Sequence, residues 1–282
     1  MITKIINFMY GLRDRQRIII SLTKGSAMMH ARNIDYKDPE TWEFAGFSQN
    51  GEDGILDVLR KNLVRNNRYF IEIGSADGID NNSAWLAIAE KYRGLMIEGS
   101  PKLVARAKRM IAHYSLGLEC LNIFVDTDSA SEIFSASQFS DPDVFSLDID
   151  GIDYYVARSL FAKGFRPKIF VVEYNSVFGP TSPRTVKYTR NFVYTNAHSS
   201  ELYYGVSIAA WRKLFEEHGY KFVTVDRNGV NAFFVDPAHF NDEFVSNIQP
   251  RAFAENQLQL SRFRVNHNEQ FKLIAHMDFE EV

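Results

Sequence analysis

The chain has 282 residues, of which 45% are apolar, 14% aromatic and 24% charged, the make-up of an ordinary folded protein and not of a disordered or fibrous one. Lysine plus arginine number 32 against 35 aspartate plus glutamate, a formal net charge of -3, so bulk charge gives no pull toward nucleic acid. The lone cysteine, Cys120, excludes an internal disulfide and a cysteine-based zinc cluster.

No apolar run approaches the roughly 20 residues that cross a bilayer. Met1 to Ser21 is broken by Arg13, Asp14, Arg15 and Arg17, where a secretory signal would be continuous. The expectation is a cytoplasmic chain with no transmembrane segment. Ile5, Ile6, Met9 and Tyr10 lie at helical spacing and suit a packing or dimer helix better than a lipid interface.

Residues 1–45 read as a helical lead-in that ends in a polar loop, and Ser48 to Asn62 as an amphipathic helix with Ile55, Leu56, Val58 and Leu59 inward. The period then changes. Arg68 to Ile73 is a short β-rich run ending in the turn Gly74-Ser-Ala-Asp-Gly78, and a helix follows from about Asn82 to Lys91. The alternation continues with strand Gly94–Glu98 and helix Lys102–His113, then strand Leu118–Val125 and helix Ser129–Ser135. Strand Val144–Ile149 precedes helix Asp153–Lys163, and strand Lys168–Tyr174 completes the series. Five strands separated by helices imply a parallel sheet covered on both faces. After helix Ser207–His218, the runs Lys221–Val225 and Asn231–Val235 flank Arg227-Asn-Gly229 as an antiparallel hairpin.

The expected fold is therefore α/β: a Rossmann-like, doubly wound, mostly parallel seven-stranded sheet with a terminal antiparallel hairpin and an N-terminal helical lead-in. Residues 46–240 form its main domain, 176–204 a long polar insertion suited to a substrate lid, and 241–282 a helical tail. The N- and C-terminal helices are the expected surfaces for any homo-oligomer.

In an open parallel sheet, ligands bind beyond the carboxyl ends of the strands, and those ends are acidic here. They read Glu72-Ile-Gly74, Glu98-Gly99, Asp126-Thr127-Asp128, Asp148-Ile-Asp150-Gly151 and Glu173-Tyr-Asn175. The first turn has the form acidic-x-Gly-x-x-x-Gly, not Gly-x-Gly-x-x-Gly. A carboxylate crowding the helix N-terminus would repel a pyrophosphate. Glu72 and Asp77 suit an ammonium and a ribose instead, and Glu98 suits a pair of ribose hydroxyls. The expected ligand is a nucleoside that carries an amino acid. A plain tight turn at Gly74 and Gly78, and helix capping by Asp126, are the competing local readings.

Phe47-Ser-Gln-Asn-Gly-Glu-Asp53, Phe70-Ile-Glu-Ile-Gly-Ser-Ala-Asp-Gly78, Leu147-Asp-Ile-Asp-Gly151 and Tyr204-Gly-Val-Ser-Ile-Ala-Ala-Trp211 occur in this order across residues 45–236. The pattern resembles the class I S-adenosylmethionine (SAM)-dependent methyltransferases, more narrowly the FkbM-like family. The resemblance implies SAM as cofactor, with Glu72, Gly74, Ser75 and Gly78 around its methionine and ribose, Glu98 on the ribose, and Asp126 with Thr127 at the adenine edge. Gln49 and Glu52 would close over cofactor or substrate. It implies methylation of a small-molecule or glycan acceptor, most naturally a sugar hydroxyl, with no nucleic-acid partner. Family members differ widely in acceptor.

Alternation along the strands brings Asp148, Asp150, Glu173 and Asn175 toward one edge, an oxygen set that suits Mg²⁺ or another divalent cation. Some related O-methyltransferases carry metal carboxylates at these two strand ends. The competing reading has Asp148 holding the cofactor ammonium and Asp150 capping the next helix. His198, in the polar insertion, is the expected general base, with Asp148 the other candidate catalytic group. His113, His218 and His239 fit capping or solvated roles better. A nicotinamide-dependent oxidoreductase or epimerase, and a non-catalytic binding module, are the alternatives on the same sheet.

Overall fold

The computed structural model describes residues 2–111, 114–115 and 117–282, with side chains from residue 11 onward. Ile5, Ile6, Met9, Tyr10 and His113, singled out above, lie outside the described side chains. Nine strands are present among the described residues: β1 (Tyr69–Ile73), β2 (Arg93–Glu98), β3 (Leu118–Asn122), β4 (Val144–Leu147), β5 (Ile169–Glu173), β6 (Arg184–Val186), β7 (Lys221–Val225), β8 (Asn231–Val235) and β9 (Phe279–Glu281).

Seven of them form one sheet in the order β3-β2-β1-β4-β5-β8-β7. The first five are parallel, while β8 enters antiparallel beside β5 and pairs with β7 through the expected hairpin. This is the Rossmann-like, mostly parallel seven-stranded sheet that the alternating pattern and the terminal hairpin led one to expect. β1, β4 and β5 are buried along their whole length, which explains why they are apolar save for Glu72, Ser146 and Glu173. Because β1 and β4 are neighbours although distant in sequence, the chain reverses direction across the sheet between them. That is the crevice where such sheets bind ligands.

Two hydrophobic cores lie on the two faces. The lead-in belongs to the first: Ile18, Trp42, Phe44 and Phe47 are buried there beside Trp85. A 30-residue helix, Ile2–Ala31, runs into this region, and no described helix is long and apolar enough to cross a membrane.

The helix expected from Ser48 starts instead at Glu52, and the preceding motif explains itself as a cap. The buried Asp53 carboxylate accepts the backbone N–H groups of Gly46, Phe47 and Ser48 at 2.8, 2.7 and 3.0 Å, and Ser48 Oγ accepts Asp53 N–H at 3.0 Å. Gly51 completes the turn at φ 105°.

The insertion is more structured than its composition suggested. β6 pairs antiparallel with β9 at the end of the chain, and Val177, Phe178, Val186, Leu202 and Tyr203 pack with Ile274 as a third small core. The C-terminal tail, expected to be helical from Phe253 to Phe263, has short helices at Gln257–Phe263 and His267–Lys272 before β9. The run from Phe253 to Asn256 is spent on packing Phe253 against Tyr174 and on bringing Asn256 to cap the helix.

Candidate active site

A cavity of about 490 Å³ opens over the carboxyl ends of β1, β2 and β4. Its wall takes Gly74 and Ala76 from the first turn, Glu98 and Gly99 from the second strand end, and Asp148 to Ile152 from the fourth. Ile123-Phe124-Val125 and Leu103 make an apolar side, Gln49 and Asp80 stand at the lead-in side, and Phe192 to Tyr194 cover it from the insertion. Among the described residues, its lining holds four carboxylates and no lysine, arginine or histidine. That balance disfavours a phosphate and favours a cationic or hydroxyl-rich ligand.

Glu98 is fixed before any ligand arrives. Its Oε2 accepts Ala76 N–H at 3.1 Å and its Oε1 accepts Ser100 N–H at 2.8 Å, which locks the carboxylate across the mouth of the first turn. Gly74 must be glycine twice over. It sits at φ 85°, and a Cβ there would fall 1.6 Å from the Asp148 carbonyl oxygen. The β1 turn thus presses directly on the end of β4.

Asp148, Asp150 and Glu173 each offer an oxygen, all within 4.8 Å of one another. Burial raises the proton affinity of all three above the usual carboxylate range, and repulsion adds to it, from Asp150 and Asp153 at Asp148, from Asp148 and Asp150 at Glu173, and from Asp153 at Asp150. For Asp150 the value reaches about 6. Glu173 and Asp148 hydrogen-bond each other, the arrangement of a pair that shares a proton. Asp150 also has φ 51°, a left-handed backbone conformation that non-glycine residues seldom adopt and that clusters at functional sites.

Other residues singled out from the sequence have different duties. Asp150 does not cap the following helix; Asp153 holds that turn, accepting Ile149 and Gly151 N–H at 2.9 and 2.8 Å. Asn175 is wholly buried: its amide donates to the Leu202 and Tyr204 carbonyls at 2.8 and 2.9 Å, and its oxygen accepts Val177 N–H at 3.1 Å.

Asp126 and Thr127 lie outside the cavity lining. Asp126 caps the turn that follows β3 and accepts the Tyr188 hydroxyl at 2.7 Å, so it latches the insertion to the sheet. Asp77 is engaged by Arg17 at 2.7 Å and Arg106 at 3.3 Å, which hold its carboxyl below the usual range against the opposing effect of burial and leave it no free charge for an ammonium or a ribose. Glu52 is buried against Asn50 and Asn231.

Gly78 and Ser75 are also set back from the cavity: a Cβ at Gly78 would meet Ile111 and Ala107, and the Ser75 carbonyl accepts Asn81 Nδ2. Glu72 lies fully buried under the floor, where one oxygen accepts Asn82 N–H at 3.3 Å and the other has no partner. Burial pushes its carboxyl up to about 7. His198 is not brought to the cavity. Its Nδ1 accepts Ser200 N–H at 3.2 Å, and its ring faces His276 at 5.4 Å.

The sequence reading missed the apolar wall. Leu118 to Val125 read as one strand, but β3 stops at Asn122, and the three residues after it become the side of the cavity. Phe124 stands 52% exposed at this wall.

No family model matches the chain, and no curated protein matches its sequence. Solved structures do. An O-methyltransferase from Bacillus cereus in complex with SAH is 13% identical, covering 78% of this chain and 89% of its own, with a TM-score of 0.41. Cofactor-bound Rv0187 from MTB is 16% identical over 78% of this chain and 88% of its own, with a TM-score of 0.43. A SAM-dependent methyltransferase from Thiobacillus denitrificans, in complex with S-adenosyl-L-homocysteine, is 16% identical over 70% of each chain, with a TM-score of 0.37.

Proposed function

We propose that the chain is a SAM-dependent methyltransferase acting on a hydroxyl of a sugar, glycan or related small metabolite. One observation carries this reading: the cavity over the parallel strands joins a pre-fixed carboxylate, Glu98, to an apolar wall and an acidic far end, with no basic side chain to hold a phosphate. Glu98 would accept the ribose hydroxyls, Phe124, Val125 and Leu103 would flank the adenine, and Asp148 would balance the positive charge of the amino-acid end. Bound SAM would supply an electrophilic methyl group. The chain's own part is to hold the acceptor oxygen in line with it, exclude water beneath Phe192 to Tyr194, and take up the hydroxyl proton. Asp150, placed at the cavity and raised to about 6, is the group suited to that proton.

Asp148, Asp150 and Glu173 also satisfy the oxygen-donor chemistry of a hard divalent cation. Such an ion, when bound, would supply Lewis-acid polarisation of the acceptor oxygen.

Calorimetry tests both parts. S-adenosylhomocysteine should bind at micromolar affinity and NAD should not; NAD binding without S-adenosylhomocysteine would replace this reading with the oxidoreductase one. Mg²⁺ titrated into the cofactor-loaded protein should give heat that Asp150→Asn removes if the acids hold an ion. Absence of heat in the unmodified protein leaves Asp150 as the base and takes the metal out.

A further inference from the structure

A second groove, of about 540 Å³, lies beside the first cavity, and the two share Phe192 and Val193 in their walls. Residues from Lys187 to Tyr203 form one side of it and His276 to Asp278 the other. The sides are tied together. β6 pairs with β9, and the Tyr203 hydroxyl accepts Lys187 N–H at 3.3 Å while donating to the Asp278 carbonyl. Both rest on the third core, through Val186 and Ile274. The groove is therefore a built surface on packed elements, not a gap between loose loops.

Its chemistry differs from that of the cavity. Lys187 and Asp278 oppose one cation to one carboxylate, Asn191 and Asn196 offer amides that both donate and accept, and Phe192 presents an aromatic ring backed by the buried Tyr203. A polyanion would need several cations here, and a purely apolar ligand would strand the amides. A chain of hydroxylated rings meets both demands: its hydroxyls alternate donor and acceptor roles, and its C–H faces lie on aromatic rings.

We propose that this groove is a binding site for an oligosaccharide, holding further rings of the acceptor while its reacting hydroxyl reaches Asp148 and Asp150 through the shared wall. This rests on the methyl-transfer reading, and it makes the acceptor an oligosaccharide and not a free monosaccharide.

The test applies fluorescently labelled full-length protein, with and without S-adenosylhomocysteine, to an array of neutral, acidic and amino-sugar oligosaccharides together with their component monosaccharides. Cofactor affinity is measured in parallel by calorimetry. The expected result is retention by at least one oligosaccharide and by none of the monosaccharides. An Asn196→Ala/His276→Ala variant should bind that oligosaccharide about tenfold more weakly, with unchanged cofactor affinity, as loss of one or two hydrogen bonds at the exposed rim implies.

Cofactor binding with no oligosaccharide retained, equal retention of monosaccharides, or undiminished retention by the variant would each overturn the groove and leave the methyl-transfer reading intact. Retention without cofactor affinity would do the reverse.

Discussion

The acids at the rim of the cleft and those at its floor are handled in opposite ways. At the rim, Asp77 is paired with two arginines, Glu98 accepts two backbone N–H groups, and Asp126 accepts a hydroxyl and backbone groups. At the floor, Glu72, Asp148, Asp150 and Glu173 are all raised by burial, the last three bring oxygens within 4.8 Å of one another, and among the described residues no cationic side chain lines the cavity. A carboxylate satisfied inside the protein is held in place, as scaffolding at Asp77 and Asp126 and as a pre-positioned acceptor at the cavity wall for Glu98. One left unsatisfied is stored demand for a ligand, and the floor is where that demand collects.

The largest expected effect comes from pH. Burial lifts Glu72 to about 7 in the folded protein and raises Asp148 and Glu173 as well, against about 4 for an exposed carboxyl. Between those values the folded state holds more protons than the unfolded state, so stability falls as pH rises. The slope is about 1.4 kcal/mol per pH unit for each group at most. Urea unfolding at pH 5, 6, 7 and 8 should give its highest midpoint at pH 5 and a lower one at each step above it. A midpoint that climbs from pH 5 to pH 7 would mean these acids are paired like those at the rim.

Gly74→Ala comes next, because it strikes where rim and floor touch. The added methyl group would collide with the Asp148 carbonyl at a positive φ, and a cost of about 3 kcal/mol or more is expected in chemical denaturation. A cost under about 1 kcal/mol would show that the turn and the end of β4 move independently.

The sheet was legible in the sequence because its signals are local: short apolar runs, glycine turns and the Asn228-Gly229 hairpin each state their own geometry. The acids at strand ends were legible too, since topology alone carries them to one edge. What each acid does there was not. Asp77 and Asp126 look no different in sequence from Glu98, and only partners 60 or more residues away, Arg17 for the one and Tyr188 for the other, decide their roles. The insertion was illegible for the same reason, as its strand at Arg184 finds its mate at Glu281.

Glu98→Ala probes the rim as a binding element. It removes acceptors from Ala76 and Ser100, both near solvent, so stability should fall by only about 1 kcal/mol. Affinity for S-adenosylhomocysteine should drop about tenfold or more in calorimetry. Unchanged affinity would move the ribose away from this strand end.

The smallest effects are the most discriminating, because they are expected to differ in sign. Asp126→Asn keeps one acceptor oxygen but turns an amide toward donors it formerly satisfied, among them Tyr188 and the backbone of Thr127 and Asn191, so about 1 kcal/mol of stability should be lost. Glu173→Gln is nearly the same change at the floor, yet it removes a carboxylate from a group that repels itself and retains a donor toward Asp148. In EDTA and without cofactor it should gain about 1 kcal/mol. Paired denaturation curves read both signs together. If both variants lose stability, the floor acids are as well partnered as those at the rim, and the unsatisfied charge that draws a ligand into this cleft lies elsewhere.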